Sequence, residues 1–336
     1  MERLRVSVIV PTCNRVDSLR RCLQSLTAQV LPPNHFEIIV VDDGSTDGTA
    51  EMVDKYSREI TGPIIKYRFQ ARSGPGAARN KGIEVARGEI LAFTEDDIVV
   101  EKDWLMNALP YFEDEKVGGV EGSTLVEGGE RLLTLPNVYR GFIPCNIFYK
   151  KEVIQKIGGF DTQFYDPEDR LYFREDGDLG FRVLKSGWKI VFAEDVLVHH
   201  PRLFQKSSDI ASFLRRYYFD PLLYKKHPGH YTRMIEVKKI GPFTIRRPIH
   251  LLSIVNVVSL LISFIYLFHP SSLLLPSISL YIISLAGIIY KFTFPDYYLL
   301  RHDGFLPVLI AAMKAPFVYL YWLAKGCIRF RSLPWY

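Results

Sequence analysis

Cysteine is scarce, and its spacing is unpatterned. The 336 residues hold 4 cysteines (Cys13, Cys22, Cys145 and Cys327) with no Cys-x-x-Cys pair. That excludes a disulfide framework and a cysteine-built zinc site. Internal repeats and low-complexity tracts are absent too, so the chain is not a repeat array. Nor is one sign of charge in strong excess: 42 Lys and Arg against 37 Asp and Glu leave a formal net charge of +5. No compact basic patch accompanies a nucleic-acid motif, which excludes nucleic acid as a partner. Much of the basic excess lies beside hydrophobic segments, where it suits an anionic membrane surface. No leader-like segment precedes the first strand, and residues 1–5 run straight into it, so the first half is expected on the cytosolic side.

Apolar residues are plentiful, at 48%, but unevenly spread. The length admits one large domain or two ordinary ones, and the stretch after residue 249 is far richer in Leu, Ile, Val and aromatics. In the first part, short β-branched runs at residues 5–10, 36–41, 64–69 and 89–94 read as buried parallel strands. Between them, Leu19, Cys22, Leu23 and Leu26 recur at helical spacing. Thr46 and Asp47 can cap a helix carrying Met52 and Val53, and residues 77–86 read as a third helix. This alternation with short links indicates an α/β fold with a doubly wound, mostly parallel sheet. Residues 103–201 are less regular, with extended segments around Val117, Ile147 and Val196, a helix over 178–185 and a strand over 188–192.

Residues 249–268 and 272–290 lack Asp, Glu, Lys and Arg, and each approaches the ~20 residues that span a bilayer core. His269-Pro270-Ser271 makes a tight turn between them. Arg246, Arg247 and Lys291 flank the pair, which by the positive-inside rule sets both ends in the cytoplasm. Residues 305–324 carry Lys314 and Pro316 near their centre and precede Lys325, Arg329 and Arg331. A span there would carry those basic residues outside, so an interfacial or re-entrant helix is expected, with a third span as the alternative. Residues 207–226 carry an apolar stripe of Ile210, Phe213, Leu214 and Tyr217 flanked by Arg215, Arg216, Lys225 and Lys226, the pattern of a helix lying on a membrane surface.

Chemistry gathers where the strands end. The first ends in Pro11-Thr12-Cys13-Asn14-Arg15 and the second in Asp42-Asp43-Gly44-Ser45. The third leads to Arg72 and Gly74-Pro75-Gly76-Ala77-Ala78-Arg79, and the fourth closes on Glu95-Asp96-Asp97. Three adjacent carboxylates repel one another, and their burial is costly unless a cation neutralises them. Hard oxygen ligands suit Mg²⁺ or Mn²⁺. The alternative for the triplet alone is a loop of solvated acids. The C-terminal edge of a parallel sheet is where open α/β folds bind ligands, so these four strand ends form a cradle for a nucleotide diphosphate and its metal. Gly74-x-Gly76 is not a dinucleotide fingerprint: it follows the third strand, and Arg79 stands where the third glycine belongs.

In this order the segments resemble the GT-A glycosyltransferases, specifically glycosyltransferase family 2. The match continues through Ile157-Gly158-Gly159-Phe160-Asp161, then Glu175-Asp176-Gly177-Asp178-Leu179 with Arg182, then Gly187-Trp188, and covers about residues 6–201. The resemblance implies that Pro11, Thr12, Asn14, Asp42 and Asp43 line the nucleoside pocket and that Arg72 and Arg79 meet base or phosphate. It implies a ribose and metal side for Glu95 and Asp96, and metal ligation by Asp97. Glu95 departs from the family's aspartate by one methylene. His199 matches a family histidine that completes the metal shell or touches the diphosphate, with His200 the neighbouring candidate. Asp176, with Glu175, implies the general base of an inverting transfer, in which a carboxylate takes the acceptor hydroxyl's proton. A structural alternative for Asp176 is a helix N-cap, and Glu168-Asp169 is a nearby rival that lacks the following Asp-Leu and Arg.

The expected organisation is a catalytic domain over 1–203, with a nucleotide-sugar half at about 1–100 and an acceptor half at about 101–203. An amphipathic interfacial linker over 204–248 and a membrane domain over 249–336 follow. The expected activity is sugar transfer from a nucleotide-activated donor to a hydroxyl of a lipid-linked or surface glycan, at the cytoplasmic face of the cell membrane. A polyprenyl-phosphate glycosyltransferase and a non-catalytic membrane scaffold are the alternatives.

Overall fold

The structure, a computed structural model, describes residues 4–126, 130–131, 142–202, 204–235, 237–240, 243–268, 272–294 and 298–334. The proposed turn at His269-Pro270-Ser271 lies outside them. The described residues fall into two compact units, one up to Pro201 and one from Arg202 onward.

In the first unit the chain alternates β1 (Val6–Thr12), α1 (Val16–Thr27), β2 (Phe36–Asp43), α2 (Thr49–Glu59), β3 (Ile64–Gln70), α3 (Pro75–Val85) and β4 (Ile90–Phe93). β1 pairs in parallel with both β2 and β4, and β2 with β3. Both faces of this half are covered, which is why its strands are continuous apolar runs rather than alternating ones. Val6, Val8 and Val10 bury one face with Leu19, Leu23 and Leu26 of α1. On the other face α3 lies so close that a Cβ on Gly82 would stand 2.5 Å from Ile9. Thr46 and Asp47 precede α2 by a turn; Asp47 accepts from Thr49 Oγ1 and from the amide of Val16 at 3.0 Å, tying the start of α2 to that of α1.

The rest of the unit adds β5 (Val99–Val100), α4 (Trp104–Ala108), β6 (Val117–Val126), β7 (Glu130–Arg131), β8 (Ile147–Lys150), α5 (Lys151–Ile157), a small hairpin of β9 (Tyr165–Asp166) and β10 (Leu171–Tyr172), α6 (Glu175–Lys185) and β11 (Lys189–His200). The main sheet runs β3-β2-β1-β4-β8-β6-β11-β5, with β7 on β6. β8 enters antiparallel between β4 and β6, and β11 returns parallel to β6. The run 188–192 and the segment 196–200 prove to be one strand, β11. Its register jumps between Ala193 and Leu197, which pair with the adjacent Gly122 and Ser123, so the strand bulges there.

The second unit holds α7 (Asp209–Arg215), α8 (Asp220–Lys226), α9 (Pro228–Met234), the hairpin of β12 (Val237–Ile240) and β13 (Phe243–Arg246), α10 (Pro248–Phe268), α11 (Leu274–Thr293), α12 (Tyr298–His302) and α13 (Phe305–Phe330). α10, α11 and α13 are each long and apolar enough to cross a membrane. With 21 residues, α10 extends ~31 Å, about the thickness of a hydrocarbon core. α10 and α11 meet along a polar seam: Asn256 Nδ2 donates to Ser284 Oγ at 3.1 Å, and Ser263 Oγ to Ser277 Oγ at 2.9 Å. Small hydroxyl residues of this kind let apolar helices approach closely. Their outer faces expose Leu261, Phe264, Ile265, Leu275 and Ile283.

Residues 305–324 belong to the uninterrupted 26-residue α13, with Pro316 inside it, so the segment has no re-entrant break, and its length and composition admit a span. One expectation changes here. Residues 209–226 are helical throughout, with α7 and α8 joined by a 3₁₀ stretch over Arg216–Phe219, but the stripe does not face outward: Ile210, Leu214 and Tyr217 are buried with Ala312, Tyr319 and Leu323 of α13. The stripe has a protein partner, with Tyr217 and Tyr319 packed edge to face at 4.8 Å.

Candidate active site

The C-terminal ends of β1, β2 and β4 come together because parallel pairing brings all their ends to one edge. The loops after β1 and β2 are laced to each other: Asn14, in the left-handed region at φ +53°, donates its amide N–H to Ser45 Oγ and accepts from the amide of Thr46, both at 2.8 Å. Asp42 accepts from the Ser45 amide and from the Tyr67 hydroxyl, each at 2.7 Å. Asp43 gathers the loop after β3, accepting from Gln70 Nε2 (2.8 Å), the Ser73 amide (2.7 Å) and the Gly74 amide (2.9 Å). Gly74 itself has φ +87°, and a Cβ there would lie 2.6 Å from the Tyr165 ring. The buried Asp42 and Asp43 thus shape the donor-side loops, and Arg72 stands exposed in the loop that Asp43 holds.

At the end of β4 the triplet divides its work. Thr12 Oγ1 donates to Asp96 Oδ2 at 2.8 Å. Arg15 Nη1 donates to Asp96 Oδ1 at 3.1 Å and to Asp97 Oδ2 at 2.7 Å. Burial pushes the Asp96 carboxyl up to about 6 even though Arg15 and Thr12 act to lower it. The other Asp97 oxygen, Oδ1, is buried with no hydrogen-bond partner among the described residues. Glu95 is pushed up by burial, opposed by the charge of Arg79.

Arg79 is neither a surface charge nor an open phosphate contact here. It is 2% exposed and bridges two motifs far apart in sequence, reaching Glu175 Oε1 at 3.1 Å and Glu95 Oε1 at 3.3 Å. Its guanidinium stacks 5.4 Å over Phe160. Asn80, the next residue, clamps the Phe160 backbone through both ends of its amide at 2.8 Å. α3 therefore docks the Gly-Gly-Phe segment and the Glu175-Asp176 segment against the triplet.

α6 begins at Glu175, one turn earlier than the spacing indicates, with Arg174 at its N-cap position at φ +74°. Asp176 is thus inside the first turn, where its side chain accepts from the Gly177 amide at 2.6 Å. Burial, then the charge of Glu175, push Asp176 up to about 7. Asp178 and Arg182 pair at 2.8 Å, and Arg182 also donates to the carbonyls of Ile157 and Gly159, a structural clamp behind the motif. The rival Glu168-Asp169 forms a turn in which Asp166 accepts from both backbone amides at 3.0 Å.

The two histidines part company because neighbouring residues of a strand face opposite ways. His199 turns to Glu101, with Nε2 2.6 Å from Oε1. His200 donates from Nδ1 to the Pro201 carbonyl and turns Nε2 toward Glu95, 3.9 Å from Oε2. Glu95, Asp97 and His200 each offer a ligand atom, all within 4.8 Å of one another. Two carboxylate oxygens and an imidazole nitrogen, one of the oxygens buried and unpartnered, fit a hard divalent cation. Arg15 and His200 are the members that motif spacing gave least weight; the signal for Arg15 was a cation directly after Asn14 with three acids to meet.

A parallel sheet with these acidic strand ends, curled through an antiparallel insertion, defines a glycosyltransferase of the GT-A type. The description Glycosyl transferase family 2 matches residues 7–177, half of the chain, and the chain belongs to that family. Among curated relatives, glycosyltransferase AglE of Haloferax volcanii is 30% identical over 210 residues, 58% of this chain and 66% of that protein. The poly(ribitol-phosphate) β-N-acetylglucosaminyltransferase TarS of Staphylococcus aureus is 33% identical over 126 residues, 35% of this chain and 22% of that one. The chain thus covers just under two thirds of AglE and about a fifth of TarS. Among solved structures, the mannosyltransferase PcManGT from Pyrobaculum calidifontis, in complex with GDP-Man and Mn²⁺, aligns with a TM-score of 0.57 at 20% identity, covering 98% of this chain and 88% of that one. S. aureus TarS 1–349 in complex with UDP-GlcNAc aligns with a TM-score of 0.52 at 18% identity, covering 98% and 92%. At these identities the likeness is one of fold.

Proposed function

We propose that the chain is a membrane-anchored, inverting glycosyltransferase that moves a sugar from a nucleotide-diphosphate donor to a hydroxyl of a lipid-linked or surface glycan, assisted by Mg²⁺ or Mn²⁺. The observation that carries this reading is the Glu95–Arg79–Glu175 bridge, which fastens the candidate cation cluster to the residue next to Asp176, whose carboxyl is pushed up to about 7. A base titrating near the working pH is best suited to take a proton in the transition state, and Asp176 meets that requirement. A cation held by Glu95, Asp97 and His200 would neutralise the leaving diphosphate. Arg72, exposed at the loop that Asp43 organises, is free to meet base or phosphate. Thr12 and Asp96 hold the floor of the site in register, and Asp42, Asp43, Asn14 and Pro11 shape the nucleoside side. Three helices long enough to cross a bilayer support a membrane anchor, which would hold the chain near a membrane-bound acceptor.

A phosphate acceptor is already anionic and needs no base, so the raised Asp176 favours a hydroxyl over polyprenyl phosphate. The test is transfer from a panel of nucleotide sugars by the full chain in detergent, with product analysis against glycan and polyprenyl-phosphate acceptors. EDTA is expected to abolish turnover, and Asp176→Asn to lower it by ~10²–10⁴-fold. Undiminished transfer by Asp176→Asn, or exclusive glycosylation of polyprenyl phosphate, would refute the hydroxyl-acceptor reading. Failure of GDP, UDP and dTDP to bind in the presence of Mn²⁺ would instead favour a scaffold.

A further inference from the structure

We infer that Arg15 is a positioning residue that makes Asp97 a one-oxygen ligand and so biases the site toward small, six-coordinate cations. The inference rests on the metal reading above and deepens it. A carboxylate free on both sides can swing or chelate through two oxygens. Asp97 is restrained here, because Arg15 Nη1 takes Oδ2 at 2.7 Å while Oδ1 is buried with no hydrogen-bond partner among the described residues, and Asp97 offers one oxygen to the cluster with Glu95 and His200.

The same guanidinium nitrogen holds Asp96 at 3.1 Å, and Thr12 fixes that carboxylate from its other side at 2.8 Å. Asp96 is therefore not a member of the ligand cluster but the anchor that keeps Arg15 from following Asp97. The groups facing Arg15 are Asp96, Asp97 and the Tyr172 ring of β10. Ca²⁺ accepts chelating carboxylates and irregular shells, whereas Mg²⁺ and Mn²⁺ require near-octahedral geometry. Locking one oxygen away selects for the second kind.

The sign of the effect separates positioning from plain electrostatics. Arg15 is a cation beside a cation site, so if its charge alone mattered, its removal would tighten metal binding. If it positions Asp97, its removal loosens binding, since partners that orient a metal ligand are worth ~10–100-fold in affinity. The experiment measures Mn²⁺ binding to the full chain by loss of the free-ion electron paramagnetic resonance signal, with Ca²⁺ as competitor. Arg15→Gln is expected to weaken Mn²⁺ by ~10-fold or more and to narrow the Mn²⁺-over-Ca²⁺ preference. Arg15→Lys is expected to weaken it as well, because a compact, strongly hydrated ammonium on a flexible stem does not hold two carboxylates in the fixed geometry of a planar guanidinium. The Arg15 side chain is 51% exposed, so both variants should melt close to wild type. Unchanged or tighter Mn²⁺ binding in Arg15→Gln, an unaltered Ca²⁺ preference, or wild-type affinity in Arg15→Lys overturns the inference. A wild-type chain that binds no Mn²⁺ overturns the metal reading and this inference with it.

Discussion

Transfer should show an acid limb near pH 7 that moves when Glu175 loses its charge. Asp176 titrates at about 7 because it is buried and lies beside the Glu175 carboxylate. Above that pH it is ionised and can accept a proton; below it, kcat/KM falls ~10-fold per unit, the usual slope for loss of one base. At pH 6 about a tenth of the molecules hold the active form. Glu175→Gln removes the like charge, which makes ionisation of Asp176 easier and lowers its titration point. Arg79, whose Nη1 lies 3.1 Å from Glu175, then has less negative charge to offset and pushes the same way. A shift of roughly one unit would raise the pH 6 value from about a tenth of the plateau to about a half. The assay is kcat/KM from pH 5 to 9 for wild type, Glu175→Gln and Asp176→Asn. The same limb in wild type and Glu175→Gln, or a full limb surviving in Asp176→Asn, refutes the reasoning. The shift also has a cost in stability. The folded chain keeps a proton on Asp176 that the unfolded chain releases near pH 4, so this group's contribution fades as the pH rises from about 4 to about 7.

Arg79→Met leaves Glu95 and Glu175 facing each other without their shared cation. It should cost ~3 kcal/mol by chemical denaturation, at the low end for breaking a buried pair because Glu95 is partly solvated. Gly74→Ala should destabilise by ~1–3 kcal/mol and weaken donor binding, since its Cβ would strike Tyr165; a melting curve and nucleotide titration check both effects. Alkaline carbonate washing should leave the full chain in the membrane pellet, given three helices of membrane-spanning length; release into the supernatant would count against anchoring.

Sequence made the first hundred residues legible because their signals are local. β-branched runs stop at Pro11, Asp42 and Glu95, and each stop lies within two residues of a strand end in the sheet. What escaped was set by distance along the chain. Nothing near Arg79 announces that it will be buried between Glu95 and Glu175, 16 and 96 residues away. The extra methylene of Glu95 looked like a weakness of the motif, yet in the structure one of its oxygens meets Arg79 while the other faces His200. The stripe on 207–226 has the periodicity of a membrane-surface helix, and periodicity cannot tell lipid from the side of α13. Asp176 looked like a cap because the helical pattern starts at Asp178; the first turn is polar, so its start is invisible to an apolar count.

The bulge in β11 has a bearing on the metal cluster. Between Ala193 and Leu197 the strand takes four steps while its neighbour takes one, an excess of three residues. An odd excess exchanges the two sides of everything downstream. Which of two adjacent histidines meets Glu95 is therefore decided by parity, and the chemistry of the imidazoles has no part in it. Deleting a single residue from 194–196, with the bulge kept, would slide His200 into the place of His199, facing Glu101, and take the imidazole away from Glu95. The third member of the candidate cluster is in this sense kept by a reading frame written in backbone, in which a change of length is a change of neighbour.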